Sequence, residues 1–378
     1  MITLPTHATR RQWLATTAAA GLSWPVMAQP AKPILIGQST MLSGPLAPTM
    51  SGILEGQQLA LDEFNARGGV GGRPVKLLTL DDAYDAARCV ENVHTLIDKE
   101  RVTALFGFTS TANVLATLPV LADKRVPLIG VYTGAPALRG KRHPYFFTHT
   151  ASYRDEVVQM VRNLKTVARS RIALVYMNNA FGKLMLPVVE EVIAGQGATL
   201  AVKASLEADG SDAVAAAQSL AAASPESVIF MAFGPSLVSF VRAAKAYLPV
   251  PLYAVSVASG KAALEALGND ARGIGFTTLV PNPFRPSTGM SRDFNKVAAA
   301  ARKPVDYDRF WGYLNLRVLL EQLRRAGRDV NPQSLVTSIE QMHKVDIAGY
   351  ALSYSVEQHH GSNYVDIMIV GPGGRFMR

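Results

Sequence analysis

Short apolar blocks and amphipathic stretches alternate along most of this chain. Residues 34–37, 75–80, 102–108 and 127–132 are brief apolar runs of the kind that form buried strands. Between them, 54–67, 85–99 and 113–124 carry apolar residues at helical spacing, and Gly68-Gly69 ends the first of these helices. The alternation restarts past residue 150. Helices are predicted over 155–166, 183–195, 212–223 and 236–247, and strands over 172–176, 199–205, 227–232 and 252–255. Strand–helix repetition of this kind predicts parallel sheets covered by helices on both faces. It occurs twice, with a break near 147–153, so two doubly wound lobes are expected. After Thr277 the rhythm changes. The Pro-containing stretch 280–287 reads as a crossing between lobes, 309–326 as a long helix carrying Leu314, Val318, Leu319 and Leu323, and 350–370 as a polar, β-rich close. A chain that crosses between lobes more than once hinges there, and ligands of such folds sit at the carboxyl ends of the strands.

Composition agrees with a packed protein of two domains: 378 residues, 48% hydrophobic and 18% charged. The first 28 residues stand apart. Arg10-Arg11-Gln12-Trp13-Leu14 opens a charge-free apolar run that ends at Val26-Met27-Ala28, the layout of a secretory leader. The arginine pair before an aromatic and a leucine points to twin-arginine export. Removing that leader, with its two arginines, takes the formal charge from +9 to about +7. No basic cluster interleaves with aromatics, so nucleic acid is not an expected partner. Cys89 is the single cysteine and cannot close an internal disulfide. It lies on a predicted helix and reads as packing.

The chemistry concentrates in LFGFTSTAN, residues 105–113, where a buried strand delivers Thr109-Ser110-Thr111 to the start of a helix. Ser110 has three readings: a nucleophile, a helix cap, or part of a ligand grip. The nucleophile reading lacks the second glycine of a nucleophile elbow, and no motif links a histidine to it. A cap and a grip at a helix N-terminus are compatible. Thr133-Gly134-Ala135 follows the next strand in the same way, with small residues that let backbone amides approach a ligand. Asp81-Asp82-Ala83-Tyr84-Asp85 resembles a diphosphate-magnesium motif, yet it opens a helix and reads as a cap. Gly68 to Gly72 follows a helix and precedes a strand, the reverse of a dinucleotide fingerprint. Adjacent His359-His360 project to opposite faces of an extended segment and read as a surface turn, so no metal and no cofactor are expected.

Five segments together resemble type I periplasmic solute-binding proteins, in particular the branched-chain amino acid binding family of ABC importers: ILIGQSTMLSGPLA, GILEGQQLALDEFNARGGVGGRPVKLLTLDD, GFTSTAN, VPLIGVYTGAPALR and YMNNAFGK. The resemblance covers about residues 33–375. It implies two α/β lobes, doubly wound and three-layered, joined by a three-segment hinge, with 32–149 plus 282–349 in the first lobe and 150–281 plus 350–378 in the second. It implies a periplasmic, monomeric protein that closes over a small carboxylate and delivers it to permease subunits, and not an enzyme. Carried onto this sequence, the carboxylate grip falls on Ser110 and Thr111 with Tyr132, Thr133 and Gly134, while Tyr153 and Phe181 wall the cleft. The acid that meets an ammonium in amino-acid binders aligns with Arg272, two residues after Asp270, which a slipped alignment would put in its place. An arginine there implies a carboxylate ligand without an amine, since an unpaired buried ammonium is costly. Phe108 is a further wall candidate. The alternatives are a ligand-sensing module for a partner receptor and a secreted serine hydrolase.

Overall fold

The computed structural model describes residues 32–44, 47–140, 142–372 and 376–377; the expected leader lies outside them. Two separate sheets form, each on one of the two expected repeats. The first runs in the spatial order Val75–Asp81, Ile34–Thr40, Ala104–Phe106, Leu128–Ile129, Phe146–Phe147, and every pairing is parallel. The second places Thr199–Leu206, Arg171–Met177, Ser227–Met231, Leu252–Ala254 and Gly275–Thr278 side by side, again parallel. Counted within its own lobe, each five-strand set is wound in the same order, 2-1-3-4-5, a doubly wound arrangement whose ligands bind beyond the carboxyl ends of the strands. Antiparallel strands Asp366–Val370 and Phe376–Met377 extend the second sheet.

The chain crosses between lobes after Phe147, after Thr278 and again before Asp366. Residues 350–361, expected with the second lobe, pack on the first. Tyr350–Leu352 pairs with Val345–Ile347, and the Tyr354 hydroxyl donates to the Thr148 carbonyl at 3.1 Å. Tyr350 ties two crossings together, because its hydroxyl reaches the carbonyls of His149 (3.0 Å) and Leu279 (3.4 Å). His149 is fully buried between Asn315 and Gln322, and burial lowers its pKa to about 4, so the ring is neutral there.

The His359-His360 pair is a correction. Instead of a surface turn, His359 is buried, stacked on Phe147 with 3.9 Å between ring centres and bonded to Glu340 at 3.0 Å. An aromatic neighbour and a carboxylate partner satisfy both its apolar face and its polar edge. Among the described residues no group of three or more His, Cys, Asp and Glu is placed to hold a metal ion.

The long helix Tyr307–Ala326 crosses Ser51–Ala66 on the outer face of the first sheet. A Cβ on Gly56 would stand 1.9 Å from the Arg309 carbonyl oxygen, and one on Gly312 2.0 Å from that of Ile53. The two backbones touch, and only glycine permits it. This contact brings the amino end of the long helix to the interlobe cleft.

Candidate ligand-binding site

Each strand of the first lobe ends at the cleft, and the residues just past those ends build one wall. Gly107 leaves its strand with φ at +68°, a turn that brings Thr109 and Thr111 to the cleft. Ser110 then caps the Thr111–Lys124 helix by accepting the Asn113 amide at 3.3 Å. Thr111 occupies the first helical position, where amides lack partners inside the helix and the dipole favours negative charge. Its hydroxyl meets that of Thr133 at 2.7 Å. Thus two loops from neighbouring strands converge on one spot. Tyr132 stands beside them, with its hydroxyl held by the Gln57 amide at 3.0 Å and its ring edge-on to Trp311 at 5.1 Å.

The opposite wall is aromatic. Tyr153 begins the Tyr153–Thr166 helix, which Ser152 and Asp155 close with a reciprocal capping box. Phe181 lies in the first turn of Ala180–Gly195, capped by Asn179. The rings of Tyr153 and Phe181 meet edge to face at 5.2 Å, and Phe181 meets Phe233 at 5.7 Å. Burial pushes the Tyr84 and Tyr153 phenols above the ordinary tyrosine range, so both are neutral. After Leu252–Ala254 the loop brings Ser256 and Val257 to the cleft. Glu156 supports that loop from below, accepting the Ser256 amide (2.8 Å), the Ser256 hydroxyl (2.9 Å) and the Thr277 hydroxyl. Burial raises the Glu156 pKa to about 7 despite these bonds.

A cavity between the lobes is lined by both walls. Of the eight residues expected at the site, Thr111, Tyr132, Thr133, Tyr153 and Phe181 line it. Three do not. Ser110 is spent as a cap. Gly134 serves close approach: a Cβ there would stand 2.8 Å from the Tyr153 amide nitrogen, whose N–H donates to the Gly134 carbonyl. Arg272 is exposed and precedes the Gly275–Thr278 strand, so it lies at the amino ends of the strands, away from the cleft. Asp270 is no substitute, since it pairs on the surface with Lys245 at 2.7 Å and Arg242 at 3.5 Å. Phe108 is buried in the core beneath the site. Sequence reasoning missed Thr109, Tyr84, Phe233, Ser256, Val257, Asp308 and Trp311, all of which line the cavity. Thr109, Tyr84, Phe233 and Ser256 follow the carboxyl ends of apolar strands, the same positional signal that marked Thr111.

Asp308 reaches across the cleft. Its carboxylate accepts the Lys261 amide of the other lobe at 2.8 Å, and burial raises its pKa to about 7. One turn on, the Trp311 indole nitrogen is buried without a hydrogen-bond partner.

Two hinged α/β lobes that close on a cavity of hydroxyls and aromatic rings define a ligand-capture protein of the two-lobed, periplasmic type. Residues 33–375 match the periplasmic binding protein family model, and the chain belongs to that family. Its members are substrate-binding components of transporters, not enzymes. The chain is 22% identical over 344 residues to the Leu/Ile/Val-binding protein BraC3 of Rhizobium johnstonii, covering 90% of this chain and 92% of that one. An extracellular ligand-binding receptor from Verminephrobacter eiseniae has the same fold, with a TM-score of 0.85 at 24% identity, across 92% of this chain and all of the other. So do a branched-chain amino acid ABC transporter protein from Thermus thermophilus with bound valine (TM-score 0.82, 18% identity, 92% and 94% covered) and an R. palustris solute-binding protein in complex with 4-hydroxybenzoate (TM-score 0.77, 18% identity, 91% and 95% covered).

Proposed function

We propose that this protein is exported by its N-terminal leader to the periplasm and acts there as a monomer. It captures a small carboxylate that lacks an amine and presents it to the permease of an ABC importer. The observation that carries this reading is the meeting of Thr111 and Thr133 at the start of the Thr111–Lys124 helix, on the wall of the interlobe cavity that Thr109 also lines. Hydroxyls and a helix N-terminus are suited to an anion. Tyr84, Tyr132, Tyr153, Phe181, Phe233 and Trp311 surround the same space and suit an aromatic or large aliphatic body.

The amine-free reading no longer rests on Arg272. Its support is the loop after Leu252–Ala254, which offers Ser256 and Val257 and no acid. A second reading, an amino acid, draws on Asp308, the one acidic side chain lining the cavity among the described residues. That carboxylate already accepts the Lys261 amide, and burial favours its neutral form, so it is a weak partner for an ammonium. The valine and 4-hydroxybenzoate complexes named above show that proteins of this fold hold both kinds of acid.

The test is a thermal-shift and calorimetry panel pairing acids with their amino counterparts: 3-phenylpropionate with phenylalanine, 4-methylpentanoate with leucine. A ligand at a hundred times its dissociation constant adds about 2.7 kcal/mol of stability, a readable shift. The amine-free acid of each pair is expected to bind at least tenfold more tightly. Tighter binding of the amino acids, lost in Asp308→Asn, overturns the amine-free reading in favour of the second.

A further inference from the structure

We infer that the ligand is elongated, with its carboxylate held in the inner cavity and an apolar extension running past Val257 into a side trough between the lobes. This deepens the carboxylate reading above and rests on it. The inner cavity is small, about 60 Å³, against the roughly 300–1,000 Å³ usual for small-molecule sites. Next to it lies a trough of about 370 Å³. Thr49, Val257 and Gly260 line both spaces, so the two share a wall made of one hydroxyl residue, one valine and one glycine. A half-buried Val257 is the largest apolar side chain in that wall.

The chemistry of the trough is selective. Its remaining lining comes from Pro48 of the first lobe and, in the second, from Gly234 and the start of Pro235–Tyr247, from Ala258, and from one side of Lys261–Leu267. Among the described residues no charged side chain lines it, and Thr49 and Ser239 alone bring hydroxyls. Ala262, Ala263 and Ala266 share one side of the Lys261–Leu267 helix, by their three- and four-residue spacing. Any larger side chain at these positions would fill the space that they leave. A third space, about 760 Å³, adjoins the inner cavity through Asp308 alone among the described residues, and Lys261, Glu265 and Asp306 line it together with apolar residues such as Phe284 and Val305. An apolar extension gains by leaving water in the alanine trough, whereas the way into the third space runs past the Asp308 carboxyl, and an apolar chain lying there strips water from that group without replacing its hydrogen bonds. The substrate class is therefore an unbranched alkyl or ω-arylalkyl carboxylate, longer than the inner cavity alone accommodates.

A length series tests this: benzoate, phenylacetate, 3-phenylpropionate, 4-phenylbutyrate and 5-phenylvalerate, measured by calorimetry on the wild type, Ala263→Trp and Ala266→Leu. Each added methylene that enters the trough tightens binding by roughly fourfold, from about 0.8 kcal/mol per buried methylene. Expected is a rise along the series in the wild type that Ala263→Trp abolishes and Ala266→Leu reduces, with benzoate affinity equal in all three proteins. Equal benzoate binding also reports that the variants are folded. A flat or falling series in the wild type overturns the inference while leaving the carboxylate reading standing, as does a rise that persists in Ala263→Trp. If no acid of the series binds the wild type, the carboxylate reading falls and this inference with it.

Discussion

The two walls of the cavity are made of different materials. The first-lobe wall sets a hydroxyl cluster beside the rings of Tyr84, Tyr132 and Trp311, and main-chain geometry holds that cluster: a glycine turn, a capped helix and two hydroxyls 2.7 Å apart. The second-lobe wall is aromatic and held by side chains beneath it, with Glu156 supporting Ser256 and Thr277 and three rings packed edge to face. A polar wall built from backbone needs little support to present donors to an anion. The aromatic wall supplies area, and its position depends on a buried carboxyl. The difference suggests a division of labour, in which the first lobe selects the charged group and the second selects the shape of the rest.

The largest test of that division is Glu156→Ala. It strands the Ser256 amide and two hydroxyls in a dry interior, at a cost of roughly 3–5 kcal/mol of stability by urea unfolding. Glu156→Gln keeps most of the bonding and should cost about 1 kcal/mol. These two variants giving the same loss would break the claim that the second wall rests on this carboxyl. The pH dependence follows from the raised pKa. Between about pH 4.5 and about 7 the folded protein retains a proton that the unfolded chain has released. The contribution of Glu156 is fully present below that window and is lost as pH rises through it. The stability difference between wild type and Glu156→Gln should therefore move against the wild type across that range. No movement would mean that the carboxyl ionises freely when folded.

Next in size is Thr111→Val. Losing a hydroxyl bonded to a charged ligand costs about 1.5–3 kcal/mol, or roughly ten- to a hundredfold in affinity. Unchanged affinity would remove the first wall from ligand selection. Smallest is Ser110→Ala, expected to lower stability by about 1 kcal/mol through the lost cap and to leave affinity within about twofold. A larger affinity loss from Ser110→Ala than from Thr111→Val would reverse the assignment of cap and grip.

The first wall was largely legible in the sequence and the second only in part, for a physical reason. Thr111 and Thr133 follow buried apolar runs directly, so periodicity alone carries them to the carboxyl ends of strands. Tyr153 and Phe181 were legible through the family resemblance, which places an aromatic at the entry to the second lobe and in the Ala180-Phe181-Gly182 segment, and both fall in the first turn of a capped helix. Ser256 sits past a strand of only three residues, and the run that follows it hides the turn. Aligning the ammonium partner to Arg272 placed the wrong end of the next strand at the cleft. Asp308 and Trp311 enter the cavity from a helix that packs on the first sheet far along the chain, and only the glycine crossing at Gly56 and Gly312 fixes where its start falls. No local pattern encodes such an arrival. The helices Gly289–Ala300 and Pro332–Glu340 were missed in the same region, where the strand–helix rhythm that anchors the other assignments has ended.

That glycine crossing has a consequence for how the molecule is made. The first lobe needs Tyr307–Ala326 to cover the helix formed by residues 51–66, and the second sheet is completed only by Asp366–Val370. Neither lobe can finish its core as the chain emerges from the ribosome, because each waits for residues near the end of translation. Completion of either core is thus postponed until the polypeptide is nearly whole.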